Sequence, residues 1–184
     1  MTYGEYREKI LKEISDCAKS IVSDNKINDF VNTIVNSKSV FCDGKGRSGL
    51  QAKAFAMRLS QMGITAYETS AATTPAIEER DLLIICTGSG ETPNLIEHAC
   101  RAHELGVKIV AITGIAESTI SKLSDIVFII DAKPKASQSN VSIQPMGTLF
   151  EQVVEVFFDT MVLMLMEKLQ ISNDDMYAKH NNLE

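Results

Sequence analysis

Apolar residues fall into two kinds of pattern along this chain. Tyr6, Ile10, Ile14, Cys17, Ala18 and Ile21 recur at helical spacing over residues 5–22, and Ile27, Phe30, Val31 and Ile34 do the same over 27–36. The spacing predicts two leading amphipathic helices. Beyond them the apolar residues gather into short unbroken runs: SVFCD at 39–43, ITAYE at 64–68, LLIIC at 82–86, KIVAIT at 108–113 and DIVFII at 125–130. These runs are rich in β-branched residues, and helical stretches such as 49–62 and 93–105 separate most of them. Strands that are apolar on both sides, alternating with helices, predict an α/β fold: a three-layer α/β/α sandwich around a five-stranded parallel sheet with right-handed crossovers.

After the last run comes DAKPKASQSNVSIQP at 131–145, polar and without periodicity, and loops of that length in compact domains tend to be functional. It ends at MGTLFEQ, which opens the most apolar helix of the chain, predicted to run to about Leu169. Val153, Val154, Val156, Phe157, Phe158, Met161, Val162, Leu163, Met164 and Leu165 lie around most of its circumference. Such a helix needs burial on nearly every side, and packing against another copy of the chain is the preferred explanation over a central position. Glu155 and Asp159 interrupt the run, which falls short of the roughly 20 apolar residues that cross a bilayer, so no membrane association is expected.

A chain of 184 residues, 45% hydrophobic and 23% charged, without a Pro/Gly-rich linker or an internal repeat, reads as one domain over 1–184. The net charge of −6 and the scatter of its Lys and Arg argue against a nucleic-acid surface. The N-terminus carries charges every few residues and has no signal-peptide core, so a cytoplasmic location is expected. Cys17, Cys42, Cys86 and Cys100 show no C-x-x-C spacing, and Cys42 and Cys86 sit inside strand-like runs, which predicts reduced structural thiols rather than disulfides or a metal site.

Ligands of parallel sheets bind outside the carboxyl ends of the strands, and two loops there are chemically alike. DGKGRSG follows the first strand run and TGSGETP the third. Each joins glycines, which let backbone approach a ligand, to hydroxyls at a helix start, where unpaired N–H groups and the helix dipole favour an anion. Helix capping offers a second explanation: Thr92 before Pro93 fits an ordinary N-cap, and Ser48 with Gln51 fits a capping box. Capping leaves Thr87, Ser89 and the paired glycines unexplained. Neither loop matches a nucleotide-binding glycine motif. Glu151 carries the same ambiguity, as the last residue of the capping-box pattern Thr148-Leu-Phe-Glu151 or as a general base at the mouth of the sheet. Arg47 could stabilise developing negative charge or lie idle on the surface. His98, His103 and His180 read as surface or partner-facing residues.

The paired loops GKGRSG at 44–49 and TGSGET at 87–92, each after a buried strand, resemble the phosphosugar-binding loops of the sugar isomerase (SIS) domain family over roughly residues 35–165. QPMGTLFEQ at 144–152 and ISNDDMYAKHNNLE at 171–184 resemble the compact 6-phospho-3-hexuloisomerase branch of that family. The resemblance implies a cofactor-free and metal-free isomerase, usually tetrameric, that interconverts D-arabino-hex-3-ulose 6-phosphate and D-fructose 6-phosphate in the ribulose monophosphate route of formaldehyde fixation or its reverse. It implies that Ser48, Thr87, Ser89 and Thr92 hold the phosphate, that Gly46, Gly88 and Gly90 shape the loops, and that Glu151 is the base. Arg47 becomes the candidate for stabilising the enediolate. His180 becomes a proton carrier for ring opening, supplied by its own subunit or a neighbour. Substrate choice is expected to lie in the 68–76 and 131–145 loops and Glu151. Thr87 stands where many SIS loops have serine, and retains the hydroxyl. A phosphosugar sensor without catalysis, or an isomerase of another phosphosugar, would carry the same loops.

Overall fold

A computed structural model of the chain describes residues 1–19, 21, 23–132 and 142–183; most of the 131–145 loop therefore lies outside the described residues. The elements are α1 (Tyr3–Ala18), α2 (Asp24–Asn36), β1 (Val40–Gly44), α3 (Gly46–Gln61), β2 (Ala66–Glu68), β3 (Leu82–Thr87), α4 (Pro93–Glu104), β4 (Lys108–Thr113), α5 (Thr119–Leu123), β5 (Ile126–Ile129), α6 (Thr148–Leu169) and α7 (Asn173–Ala178). All five predicted strands form. The short helices α5 and α7 are additions that periodicity did not reveal. α3 begins at Gly46 rather than Gly49, so Arg47 and Ser48 belong to its first turn and not to a loop.

The strands form one parallel sheet in the order β2-β1-β3-β4-β5. The chain leaves β1 toward one edge and β3 toward the other, so the direction of winding reverses between these adjacent strands. That is where an open parallel sheet leaves a crevice at its carboxyl edge.

Alternate strand residues enter two cores. Val40, Cys42, Leu82, Ile84, Cys86, Val110 and Ile112 face α2, α3 and α6. Phe41, Leu83, Ile85, Ile109 and Ala111 face α4 and α5. The first core is the larger and is built on aromatic contacts. Phe157 of α6 lies 4.9 Å from Phe128 and 6.2 Å from Phe30, and Phe158 stacks on Phe55 of α3 at 4.3 Å between centroids.

The expectation of a helix apolar around most of its circumference is corrected. Glu155, Val156, Asp159, Thr160, Leu163 and Glu167 form an exposed strip along α6, about one turn apart, with Val156 and Leu163 as its apolar members. The high apolar count arises because its other faces pack on α1, α2 and α3. Among the described residues no helix is long and apolar enough to cross a membrane.

Phe157 joins α6 to α2 and β5, so Phe157→Ala is expected to lower unfolding free energy by about 3–5 kcal/mol in urea titration. A loss below about 1 kcal/mol would show that the aromatic cluster is not what anchors this helix.

Candidate active site

Gly44 pairs in register with Cys86, so the segments following β1 and β3 leave the sheet side by side. The first is exceptionally close. A Cβ on Gly49 would lie 2.5 Å from the Gly44 carbonyl oxygen, and one on Gly44 would lie 2.9 Å from the Gly49 Cα and 3.0 Å from the Cys86 oxygen. Only two glycines permit this approach, which holds the first turn of α3 against the end of β3. Ser48 is buried there, with its hydroxyl beside the Cys86 thiol. Burial pushes the Cys86 thiol far up, the nearby charge of Glu151 and the Cys42 thiol push the same way, and the Ser48 hydroxyl opposes them.

The second loop is braced from the other side. Gly88 accepts a hydrogen bond from the Gly114 amide at 3.1 Å and Gly90 one from Ile120 at 3.2 Å. Gly90 has φ +67°, and a Cβ there would lie 2.0 Å from the Ser118 hydroxyl, so glycine is required twice over. Thr87 is buried and its hydroxyl accepts the Gly90 N–H at 3.2 Å. Ser89 is exposed, and its hydroxyl accepts the Glu91 N–H at 3.2 Å. The Glu91 carboxylate accepts the Thr119 N–H at 2.7 Å, tying the loop to α5, and that bond lowers its pKa.

Side-chain capping divides the helices of the chain into two groups. α1, α2, α5 and α7 are capped by the side chains of Thr2, Ser23, Ser118 and Ser172. α3, α4 and α6 begin at Lys45, Thr92 and Gly147 with no side-chain cap. The capping explanations of the motifs are thereby corrected: Ser48 lies inside α3, Thr92 is the N-cap residue by position but its hydroxyl caps nothing, and Glu151 lies four residues after the Gly147 cap, too far for a capping box. All three uncapped helices start at the carboxyl edge of the sheet. Their unpaired N–H groups and positive dipole ends converge on the same space.

α6 brings the carboxylate into that space. Arg47 reaches from α3, donating through Nη1 to the Thr148 hydroxyl at 3.1 Å and placing Nε 3.1 Å from Glu151 Oε2. The Glu151 side chain is only 14% exposed, and Oε2 receives no hydrogen bond, so Nε–H is not aimed at it and the contact is ionic. Glu151 therefore has one buried oxygen with hydrogen-bonding capacity unused. Gly147 faces it: a Cβ there would sit 3.4 Å from Glu151 Oε1. Met146, just before, adopts φ +63°, a left-handed conformation costly to a side-chain-bearing residue.

The structure thus brings Gly46, Arg47, Ser48, Gly88, Ser89, Gly90, Thr92 and Glu151 to one edge, and it separates His180 from them. Lys179 Nζ donates to the Met62 carbonyl at 3.3 Å, beyond the last turn of α3, whereas Arg47 stands in its first turn. About 24 Å of helix, 16 residues at 1.5 Å each, lies between the two ends.

Sequence reasoning also missed two supports. Glu13 of α1 accepts hydrogen bonds from the Ser142 hydroxyl, the Ile143 amide and the Gln144 side chain at 2.6, 2.8 and 3.3 Å, fixing the segment that leads into α6. His98 is not simply a surface residue, since its Nδ1 lies 2.6 Å from Oδ2 of the buried Asp43. Both contacts join residues more than fifty positions apart, and no spacing rule could have found them. At the mouth of β2, Glu68 holds the Ser70 amide and hydroxyl and pairs with Lys53 at 3.4 Å. Burial there works against the charged form, but these partners prevail and its pKa is lowered.

Residues 33–156 match the model of the SIS domain family. Over its whole length the chain is 42% identical to the 3-hexulose-6-phosphate isomerase of Bacillus subtilis, and the match covers all of both proteins. The chain belongs to the SIS-domain family, within its 3-hexulose-6-phosphate isomerases. The Mycobacterium gastri member of that family is 35% identical over 94% of this chain and 86% of its own. The crystal structure of a Methanococcus jannaschii protein, from which a 3-hexulose-6-phosphate isomerase function was inferred, superposes with a TM-score of 0.86. It is 30% identical and covers 98% of this chain and 99% of its own. The SIS family match spans both glycine loops and Glu151 but ends before α7 and His180.

The surroundings of the four thiols predict an order of reaction with a thiol reagent at pH 8. Cys100 is exposed and is expected to react first. Cys17 is half-buried, and burial together with the charge of Asp131 raises it to about 11, so it follows slowly. Cys42 and Cys86 are buried and are expected to react only on unfolding. Rapid labelling of Cys86 in the native protein would show that the contact between α3 and β3 opens.

Proposed function

We propose that this chain interconverts D-arabino-hex-3-ulose 6-phosphate and D-fructose 6-phosphate by proton transfer through an enediol. The observation that carries the reading is the convergence of three uncapped helix starts beside a buried carboxylate oxygen that lacks a hydrogen bond. A phosphate suits the former and a carbon acid the latter.

In this reading the phosphate lies between the starts of α3 and α4, held by the hydroxyls of Ser48, Ser89 and Thr92 and by backbone N–H groups. Gly46, Gly88 and Gly90 keep the backbone near enough to reach it. Thr87 belongs to the same set of hydroxyls: its oxygen accepts the Gly90 N–H and so shapes the loop, and its own O–H is left to donate to the phosphate.

The 3-keto sugar carries phosphate on the oxygen that would close its five-membered ring, so it enters open-chain. Glu151 removes the proton from carbon 2 and the C2–C3 enediolate forms. The same carboxylate returns the proton to carbon 3, while the hydroxyl proton moves from O2 to O3. Atoms and charge balance, and one face of the substrate suffices. Arg47 stands within reach of both the base and the entering substrate. It is assigned the stabilisation of the enediolate, exchanging its contact with Glu151 for the developing oxyanion.

Fructose 6-phosphate forms a ring, and its opening needs a further proton carrier, for which a histidine suits. We assign His180 to the site of a neighbouring subunit, and the contact of the adjacent Lys179 with Met62, beyond the last turn of α3, supports that choice. The reading therefore includes self-association, as a homotetramer. What supports it is the exposed Val156 and Leu163 of α6 and a groove of about 440 Å³ between α1, α2 and α6, lined by Ala18, Ile21, Ile27, Val156 and Met164 among others. Residues 1–184 are taken as one SIS domain whose leading helices and tail serve this assembly.

Glu151→Gln is expected to lower kcat about 10²–10⁴-fold while the protein stays folded and still binds fructose 6-phosphate. Full activity in this variant would remove Glu151 from the mechanism. Wild type that binds the sugar phosphate without turning over either hexulose would leave a sensor.

Subunit mixing tests the shared site. Glu151→Gln and His180→Ala protomers, each impaired alone, are expected to regain activity when refolded together, because one combined site then holds both native side chains. No recovery in verified mixed oligomers would reject the trans assignment.

A further inference from the structure

Asp43 is an acidic residue in the core with no part in the chemistry above. Its side chain is 1% exposed, at the penultimate position of β1. Both oxygens are used: Oδ1 accepts the Gly44 N–H at 2.8 Å, and Oδ2 faces His98 Nδ1 at 2.6 Å. One proton is shared across this contact, between Nδ1 and Oδ2. Among the described residues the other ring nitrogen of His98 makes no hydrogen bond. The imidazole is thus held by a single directional contact, from α4 into the core.

The two ends of this link are significant. Gly44 is wedged between Gly49 of α3 and the carbonyl of Cys86, so its position sets the spacing between the first glycine loop and the end of β3. His98 sits on α4, whose uncapped first residue follows the second glycine loop. The chain His98–Asp43–Gly44 therefore joins the helix behind one loop to the backbone at the root of the other. Burying a carboxyl group is unfavourable unless its oxygens find partners, so a side chain with both oxygens engaged is not placed here merely to fill space.

We propose that His98 is a positioning residue for the substrate phosphate: through Asp43 it holds the Gly44 backbone, and so fixes the distance between the two halves of the phosphate cradle. The inference rests on the assignment of that cradle in the preceding subsection. His98 touches neither phosphate nor the reacting carbons, so its loss should weaken the binding of phosphorylated sugar and leave the proton transfer nearly intact.

Isosteric replacement separates the two ring nitrogens. Asparagine places an amide nitrogen near the position of Nδ1, and glutamine near the position of the outer nitrogen. Calorimetric titration of the full chain with fructose 6-phosphate is expected to show about tenfold weaker binding for His98→Ala and His98→Gln. His98→Asn should stay within about threefold of wild type, and kcat should remain within about threefold throughout.

Equal affinity in all four proteins would overturn the proposal, even if melting temperatures differ, because His98 would then act on stability alone. A fall in kcat at unchanged affinity would also overturn it, by putting His98 in the chemistry. If His98→Ala fails to fold, the Asn and Gln pair carries the same test. Absence of fructose 6-phosphate binding by wild type is a different failure and would reject the cradle itself.

Discussion

The approach of Gly44 to Gly49, backbone against backbone, is the constraint on which the rest of the site depends. A strand followed at once by a helix ordinarily keeps the two apart by the width of a side chain. Here no side chain intervenes, so α3 starts directly at the sheet edge. Its first turn puts Ser48 under the end of β3 and Arg47 out toward α6. A single methyl group on Gly49 would have to occupy the Gly44 carbonyl, and the whole first turn would shift.

From that constraint the electrostatics follow. α3 and α6 run side by side with their starts at the same end, fastened midway by the stacking of Phe55 on Phe158. α4 starts beside them from β3. Three positive dipole ends without side-chain caps would be unfavourable for an empty surface, and four other helices of the same chain show that capping residues were available. Leaving these three open stores binding capacity for an anion. Arg47 links these helix starts to the carboxylate, because one side chain lies in the first turn of α3 and contacts both Thr148 and Glu151 of α6.

The supports lie further out and come from distant parts of the chain. Glu13 in α1 fixes residues 142–144, which set the entry to α6 and hence the position of Glu151. Asp43 and His98 tie β1 to α4, and Glu91 ties the second loop to α5. Each is a carboxylate accepting from a partner in another element. Moving the glycine loops or Glu151 would leave at least one such carboxylate with an unmet hydrogen bond.

The strands, their parallel arrangement and the two glycine loops were legible in the sequence, because strands buried on both faces must be apolar throughout and close backbone approach demands glycine. Helices α5 and α7 were not, since five or six residues are too few to display a helical period. The early start of α3 was hidden because Gly46 and Gly49 argue locally for a loop, and only packing against β1 and β3 makes a helix the better use of them. Spacing alone suggested capping at Ser48, Thr92 and Glu151, and tertiary structure withdrew all three assignments by placing the side chains elsewhere. The meeting of Arg47 with Glu151, the burial of Asp43 beneath His98 and the removal of His180 to the far end of α3 were likewise decided only in three dimensions. Local sequence determines which residue types a strand, a turn or a helix start can accept, whereas which of them meet depends on how elements far apart in the chain are stacked.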